Sequence, residues 1–206
     1  EWRRLKIDPY HQIEFIVTMH FLRKYLPKKG LVLDAGGGPG RYTIELAKQG
    51  YDIVLLDIVP EMLKIAKRQI KKARVQDRVK QFVEGSVISR IGLLKSILIE
   101  FPHEMQYAKH HWEIGDYVPG LQGKGFTATH WFLPEELHDL FERQGTEILE
   151  MAGLEGLSSH HEKETNRLYK DKEKWNIWIE ILLKTCTHPS VIGSSEHFLL
   201  VCRKSG

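Results

Sequence analysis

Cysteine is nearly absent from this chain, with two in 206 residues, Cys186 and Cys202. Two cysteines without metal-like spacing support neither a disulfide scaffold nor a zinc framework, and reduced thiols in a cytoplasmic protein are the simpler reading. Long apolar runs are also missing. None approaches the ~18 residues that a membrane span needs, so no membrane association is expected. The opening residues are charged and the next apolar stretch is punctuated by His20 and Arg23, so no signal peptide is read there. A strong charge of either sign is lacking too: 30 Lys and Arg stand against 27 Asp and Glu, a net +3. Such a balance does not call for nucleic acid. There is no internal repeat, no low-complexity tract, no nucleophile triad and no metal-ligand spacing, so no metal is expected.

What is present is a glycine run in a definite setting. Leu31-Val32-Leu33 is a short apolar strand, followed by Asp34, Ala35 and then Gly36-Gly37-Gly38-Pro39-Gly40. Glycine lets a backbone turn sharply and approach a ligand with no Cβ in the way. Arg41 to Gln49 then reads as a helix ended by Gly50. Strand, glycine turn and helix N-terminus together form a cradle in which free N–H groups and the helix dipole face a ligand. The spacing distinguishes cofactors. A dinucleotide fingerprint, G-x-G-x-x-G, would need its third glycine at position 41, which is Arg41. The chain has G-x-G-x-G instead. A second strand, Tyr51 to Asp57, brings a carboxylate 21 positions after Gly36, suited to accept both hydrogens of a ribose diol.

These residues resemble the class I S-adenosylmethionine-dependent methyltransferases over Val32 to Ala73. VLDAGGGPG stands as the first motif and LLDIVPEML as the second. The resemblance implies an α/β, Rossmann-like, doubly wound, mostly parallel seven-stranded sheet with a terminal antiparallel hairpin and an inserted lid. It implies S-adenosyl-L-methionine as cofactor and S-adenosyl-L-homocysteine as product. It also implies roles. Gly36, Gly37, Gly38 and Gly40 would pass close to the methionine part and ribose, and Asp34 would orient the loop or the methionine amino group. Asp57 would bind the ribose hydroxyls and Ile58 would pack on the adenine. Arg41 or Tyr42 would reach the methionine carboxylate. Ser86 stands where the family often carries an acidic residue facing the adenine; a hydroxyl is what remains to do that work.

Along the chain, residues 11–26 read as an amphipathic helix with Ile13, Ile16, Val17 and Phe21 on one face, ended before Pro27. Pro60 starts a second core helix at its first turn, with Met62, Ile65, Ala66 and Ile70 as its expected buried stripe. Its other face carries Lys64, Lys67, Arg68, Lys71 and Lys72, read as solvated surface. Val79 to Glu84 is a third strand. After Ser86 the family pattern breaks. Val87-Ile88-Ser89-Arg90 reads like the end of a fifth strand, so roughly 40–50 residues, one strand–helix–strand unit and more, are missing. Strand one ought to be a central parallel strand with partners on both sides. The expectation is therefore a segment around strands four and five lost between Ser86 and Val87.

The rest is expected to complete a single domain over 1–206, with 91–125 as an inserted lid. Residues 91–101 are helical in pattern, with Leu93, Leu94, Ile97 and Ile99. His103 to Gly125 is rich in aromatic and polar residues and in glycine, unusual for a plain connector. Phe126 to Phe132 reads as a strand, Pro134 onward as a helix with Leu137, Leu140 and Phe141 inward, and Thr146 to Leu154 as a strand. Residues 171–186 carry a stripe of Trp175, Trp178, Ile179, Leu182, Leu183 and Cys186, and Glu196 to Cys202 ends the sheet.

A sulfonium methyl group is already activated, so a methyltransferase mainly needs positioning and exclusion of water. The histidines that could take a proton near neutral pH are His110, His111, His130, His160 and His161, and His130 beside Trp131 is preferred as the catalytic base. Trp112, Tyr117 and Trp131 could wall a substrate pocket. The main reading is methyl transfer to a small-molecule acceptor. The alternatives are an RNA or protein methyltransferase and a cofactor-binding protein without catalysis. The motif that would separate the first two, after the fourth strand, is absent from the chain.

Overall fold

A computed structural model describes residues 2, 7–57, 59–83, 88–117 and 129–204. The chain divides into two compact units, Glu1–Arg4 with Leu26–Val87, and Leu5–Tyr25 with Ile88–Gly206.

The first unit alternates strand and helix, as its sequence pattern requires: β1 (Leu31–Ala35), α2 (Arg41–Lys48), β2 (Asp52–Leu56), α3 (Pro60–Ala73) and β3 (Val79–Val83). The label α1 is kept for Pro9–Tyr25 of the second unit. The strands lie in the order β1-β2-β3 and both pairings are parallel. Val32 pairs with Ile53 and Asp34 with Leu55, so these four share a face. On that face Leu55 packs with Ile44 of α2 and with Leu63, Ala66 and Ile70 of α3. The α3 stripe is thus Leu63-Ala66-Ile70, one position off the expected start at Met62, while Ile65 stays half-buried. On the opposite face Leu31 and Leu33 remain 66 % and 51 % exposed. Parallel strands are ordinarily covered on both faces. Here β1 is an edge strand, paired with β2 alone among the described residues. The proposed break itself, between Ser86 and Val87, lies outside the described residues.

The second unit holds α1 (Pro9–Tyr25), β4 (Ile88–Ser89), α4 (Arg90–Ile99), α5 (Ala108–Ile114), β5 (Asp116–Tyr117), β6 (Thr129–Phe132), α6 (Pro134–Arg143), β7 (Thr146–Gly153), α7 (Glu162–Leu168), α8 (Lys172–Thr185), α9 (Pro189–Ile192) and β8 (Phe198–Lys204). β6 pairs parallel with β4 and antiparallel with β5. β7 and β8 form an antiparallel pair of their own. The terminal antiparallel strands are therefore present, but the described strands form sheets of three, three and two rather than one seven-stranded sheet. Ile13, Val17 and Phe21 of α1 pack with Ala152, Leu154, Trp175, Leu182, Cys186 and Val201. Two expected core positions turn outward: Ile99 at the end of α4 and Leu140 on α6 are exposed. The segment read as a lid is largely helical. Ser89 caps α4 by accepting the Gly92 N–H at 3.1 Å, and Pro102 opens a 3₁₀ turn that leads into α5. Residues 118–128, with Gly120, Gly123 and Gly125, lie outside the described residues. No helix among the described residues is long and apolar enough to cross a membrane.

Candidate functional site

The parallel register places Ala35 beside Leu56, so the residues that follow, Gly36 and Asp57, emerge side by side. The chain turns there because Gly36, Gly38 and Gly40 adopt φ of +73°, +52° and +81°, which side chains with a Cβ disfavour. The N–H groups of Gly36 and Gly37 donate to the Leu56 carbonyl at 2.8 and 3.0 Å, fastening the turn to the end of β2. Gly37 has no room for a side chain: a Cβ would overlap Leu55 and come within 2.6 Å of an Asp34 carboxyl oxygen. Gly40 brings α2 against Ala66 of α3.

Two carboxylates fix the loop. Asp34 accepts the Thr43 hydroxyl at 2.5 Å, tying the end of β1 to the first turn of α2. The residue is half-buried, but its carboxyl lies under Gly37, and burial pushes its pKa up against the opposing pull of Thr43. Asp57 is buried. Its Oδ2 accepts the Gly38 N–H at 2.8 Å and its Oδ1 accepts the Val59 N–H at 2.9 Å. Each oxygen of a carboxylate has a second lone pair. Asp57 thus holds the loop and keeps two acceptor positions for a diol. A Cβ on Gly38 would stand 3.9 Å from Asp57 Oδ2 with nothing else within 4 Å, so the space over this glycine is open on the ligand side. Gly40 caps α2 without a side-chain hydrogen bond, which leaves the helix N-terminus suited to an anion such as a carboxylate. The Arg41 guanidinium stands 5.7 Å from the Trp2 ring. These residues fit the methionine, ribose and carboxylate parts of S-adenosylmethionine. Ile58 and Ser86, assigned to the adenine, lie outside the described residues.

The candidates in the second unit fall into separate places. Tyr117 and Trp131 are buried with His111 in one aromatic cluster, at ring distances of 4.9 to 6.0 Å, while Trp112 is exposed. Burial lowers the His111 pKa, so this imidazole is neutral at pH 7. His130 is half-exposed, and its Nδ1 lies 2.6 Å from Asp116 Oδ1. That carboxylate orients the ring and leaves Nε2, 3.5 Å from Arg90 Nη2, as the second polar end. The sequence reading missed Thr43 as the partner of Asp34. It also missed buried Arg90, which donates to the Trp131 carbonyl at 2.9 Å and to Glu136 at 2.7 Å. A polar threonine in a first helical turn and an arginine just after a strand are common, and no local signal marks either.

The strand–glycine turn–helix and the carboxylate after β2 form a Rossmann-like α/β unit. Residues 32–90 match the family model described as a methyltransferase domain. The tRNA 5-carboxymethoxyuridine methyltransferase of Escherichia coli (strain K12) is 39 % identical over 57 residues, covering 28 % of this chain and 22 % of that protein. The magnesium-protoporphyrin O-methyltransferase of Rhodobacter capsulatus is 39 % identical over 61 residues, covering 30 % and 23 %. The aligned stretch therefore spans less than a quarter of either relative. Among solved structures, a methyltransferase from Methanococcus maripaludis is similar at 31 % identity over 40 % of this chain and 37 % of that one, with a TM-score of 0.34. One from Methanosarcina mazei is similar at 18 % over 64 % and 86 %, with a TM-score of 0.39.

Proposed function

We propose that the protein is an S-adenosylmethionine-dependent methyltransferase acting on a small-molecule acceptor. The observation that carries the reading is Asp57, buried beside a glycine turn that it pins, within the stretch that matches the methyltransferase domain. When bound, the cofactor supplies an activated methyl group and leaves as S-adenosylhomocysteine. The chain's own residues bind and orient. Asp57 takes the ribose hydroxyls, the N-terminus of α2 takes the methionine carboxylate, and Asp34 with Thr43 holds the turn in shape. Ile58 and Ser86 complete the adenine side. His130, oriented by Asp116, is the candidate base for the acceptor's proton, and Trp112, Tyr117 and Trp131 are the candidate walls of the acceptor pocket. The test is a screen of metabolites with a methyl-labelled donor, run on wild type and on His130→Ala. The reading predicts label transfer to a discrete acceptor by the wild type, and transfer by the variant that is slower while donor binding is unchanged.

A second reading, RNA as acceptor, has one observation in its favour. The solvent side of α3 carries Lys64, Lys67, Arg68, Lys71 and Lys72, and a cavity of about 270 Å³ is lined by Lys67, Ile70, Lys71, Gln76 and Val79. Backbone phosphates would bind such a face with strong salt dependence. Binding of transfer RNA that weakens steeply with salt, together with label in RNA, would favour it over the first reading.

A further inference from the structure

Four elements of the second unit bring charged side chains to one imidazole ring. The antiparallel register of β5 with β6 sets Asp116 opposite His130, so the two side chains stand on the same face of the pair. The parallel pairing of β4 with β6 ends at Ser89 and Phe132, and Arg90, the next residue, opens α4 there. Glu136 is the third residue of α6, and its carboxylate turns back to accept the Leu133 N–H at 2.9 Å. Asp116 Oδ1 lies 2.6 Å from His130 Nδ1. Arg90 Nη2 stands 3.5 Å and Glu136 Oε2 3.8 Å from His130 Nε2, and that guanidinium nitrogen donates to that Glu136 oxygen at 2.7 Å.

These donors and acceptors admit one neutral form of the ring. An ionised carboxylate only accepts and a guanidinium only donates. Nδ1 therefore carries the hydrogen, toward Asp116, and Nε2 turns its lone pair toward Arg90, the reverse of the tautomer that predominates for histidine free in water. The other contacts of Arg90 fix it in place. Its Nε and Nη1 donate to the Trp131 and Trp112 carbonyls at 2.9 and 3.3 Å. A Cβ on Gly115, whose φ is +78°, would overlap the guanidinium. The Arg90 side chain is 4 % exposed, against 38 % for His130, 56 % for Asp116 and 38 % for Glu136, so solvent reaches the ring while the guanidinium stays buried.

We propose that Arg90 and Glu136 are positioning residues for His130, an inference that rests on the reading of His130 as the base. Arg90 keeps the Nε2 lone pair unprotonated in the resting ring. An acceptor O–H or N–H takes its place at small loss, because Arg90 retains Glu136 and two carbonyls. As the acceptor's O–H or N–H bond breaks, its electron pair stays on the oxygen or nitrogen that bonds the methyl carbon, and the proton goes to the Nε2 lone pair. The pair of the broken S–C bond stays on sulfur. The imidazolium then lies between two carboxylates, Asp116 for its Nδ1–H and Glu136 for its new Nε2–H. Such a base serves an acceptor atom that still carries a proton at pH 7, a hydroxyl or a nitrogen rather than a carboxylate. The three partners lie 14, 40 and 6 positions from His130, and no spacing in the sequence joins them.

The experiment is imidazole ¹H–¹⁵N spectroscopy of the full-length, ligand-free protein at alkaline pH, with the His130 signals assigned by their loss in His130→Ala. The inference predicts the Nδ1–H tautomer in the wild type. In Arg90→Met the Nε2 resonance should move towards that of a bare lone-pair nitrogen. Glu136→Gln keeps an acceptor for the Leu133 N–H and removes the charge. With the acceptor found by the metabolite screen, it should lower kcat about tenfold or more while KM and S-adenosylhomocysteine binding hold, a part of the ~10²–10⁴-fold that a general base contributes. If Arg90→Met does not fold, the wild-type tautomer and the Glu136→Gln kinetics decide. An Nε2–H ring in the wild type, an unmoved Nε2 resonance in folded Arg90→Met, or wild-type kcat in Glu136→Gln overturns the inference. Full-rate methyl transfer by His130→Ala overturns the proposed base instead, and is told apart because the ring signals need neither donor nor acceptor.

Discussion

Asp57 accepts the backbone N–H of Gly38 at 2.8 Å, so the carboxylate expected to meet a ribose is also the clasp of the glycine turn. Its second oxygen holds the Val59 N–H. Asp57→Ala therefore removes the partners of two backbone donors in a buried setting. Each such loss costs about 1–3 kcal/mol, so a fall in melting temperature is expected beside the loss of cofactor binding. Asp57→Asn keeps an acceptor oxygen and should recover part of the stability. A thermal melt of the two variants checks this.

Two neighbouring glycines should respond differently to alanine. At Gly37 the new Cβ overlaps Leu55 and the Asp34 carboxyl, both packed, and overpacking of this kind costs about 1–3 kcal/mol. At Gly38 the space is open, and the cost is the left-handed φ of +52°, roughly 1–2 kcal/mol. Gly38→Ala should fold and lose cofactor affinity, because its methyl occupies the cradle. Gly37→Ala should show the larger stability loss. Denaturant unfolding with calorimetry on both variants separates the effects.

The raised pKa of Asp34 makes a pH prediction. A carboxyl whose folded pKa lies above its unfolded value binds its proton more tightly when folded. Its contribution to stability is full below the unfolded pKa and is lost as pH rises through the folded one. Asp34→Asn removes that dependence while keeping an oxygen for the Thr43 hydroxyl. Relative to the variant, the wild type should lose stability from acid towards neutral pH, and the difference should level off above the folded pKa. Unfolding free energies at several pH values test the sign.

Arg90 predicts an asymmetry in the second unit. It is buried, with hydrogen bonds to the Trp131 and Trp112 carbonyls, whereas Glu136 is half-exposed. Arg90→Met should cost about 1–3 kcal/mol, because the buried Trp131 and Trp112 carbonyls lose their donor. Glu136→Gln should cost about 1 kcal/mol or less, since solvent screens the pair. Chemical denaturation of the two variants compares them.

The first unit was legible because its signals are local. The Leu31–Ala35 strand, the Gly36–Gly40 turn and the Pro60 helix start each depend on neighbours in sequence, and the structure reproduces them within a residue or two. The α3 stripe was misread by one position because Met62, Leu63 and Ile65 are all apolar, and only packing against Leu55 decides among them. In the second unit the decisive contacts are long-range. Nothing near Leu140 says it faces water, and nothing near Arg90 says it meets His130 and Glu136. The apolar pattern of Leu31 and Leu33 reads as a central strand, yet both side chains are exposed on the face of β1 away from α2 and α3. Of the candidate site, the glycines and Asp57 were readable from spacing; the clasp between Asp57 and Gly38 depends on strand register and was not.

The most direct test of the account is calorimetry of the wild type and of Asp57→Ala with S-adenosylhomocysteine and with NAD. The account predicts that the wild type binds S-adenosylhomocysteine at one site and does not bind NAD. In a folded Asp57→Ala variant that affinity should fall at least about tenfold, since charge-assisted hydrogen bonds to the ribose are worth about 1.5–3 kcal/mol each. Preference for NAD, or equal S-adenosylhomocysteine affinity in wild type and folded Asp57→Ala, would contradict it.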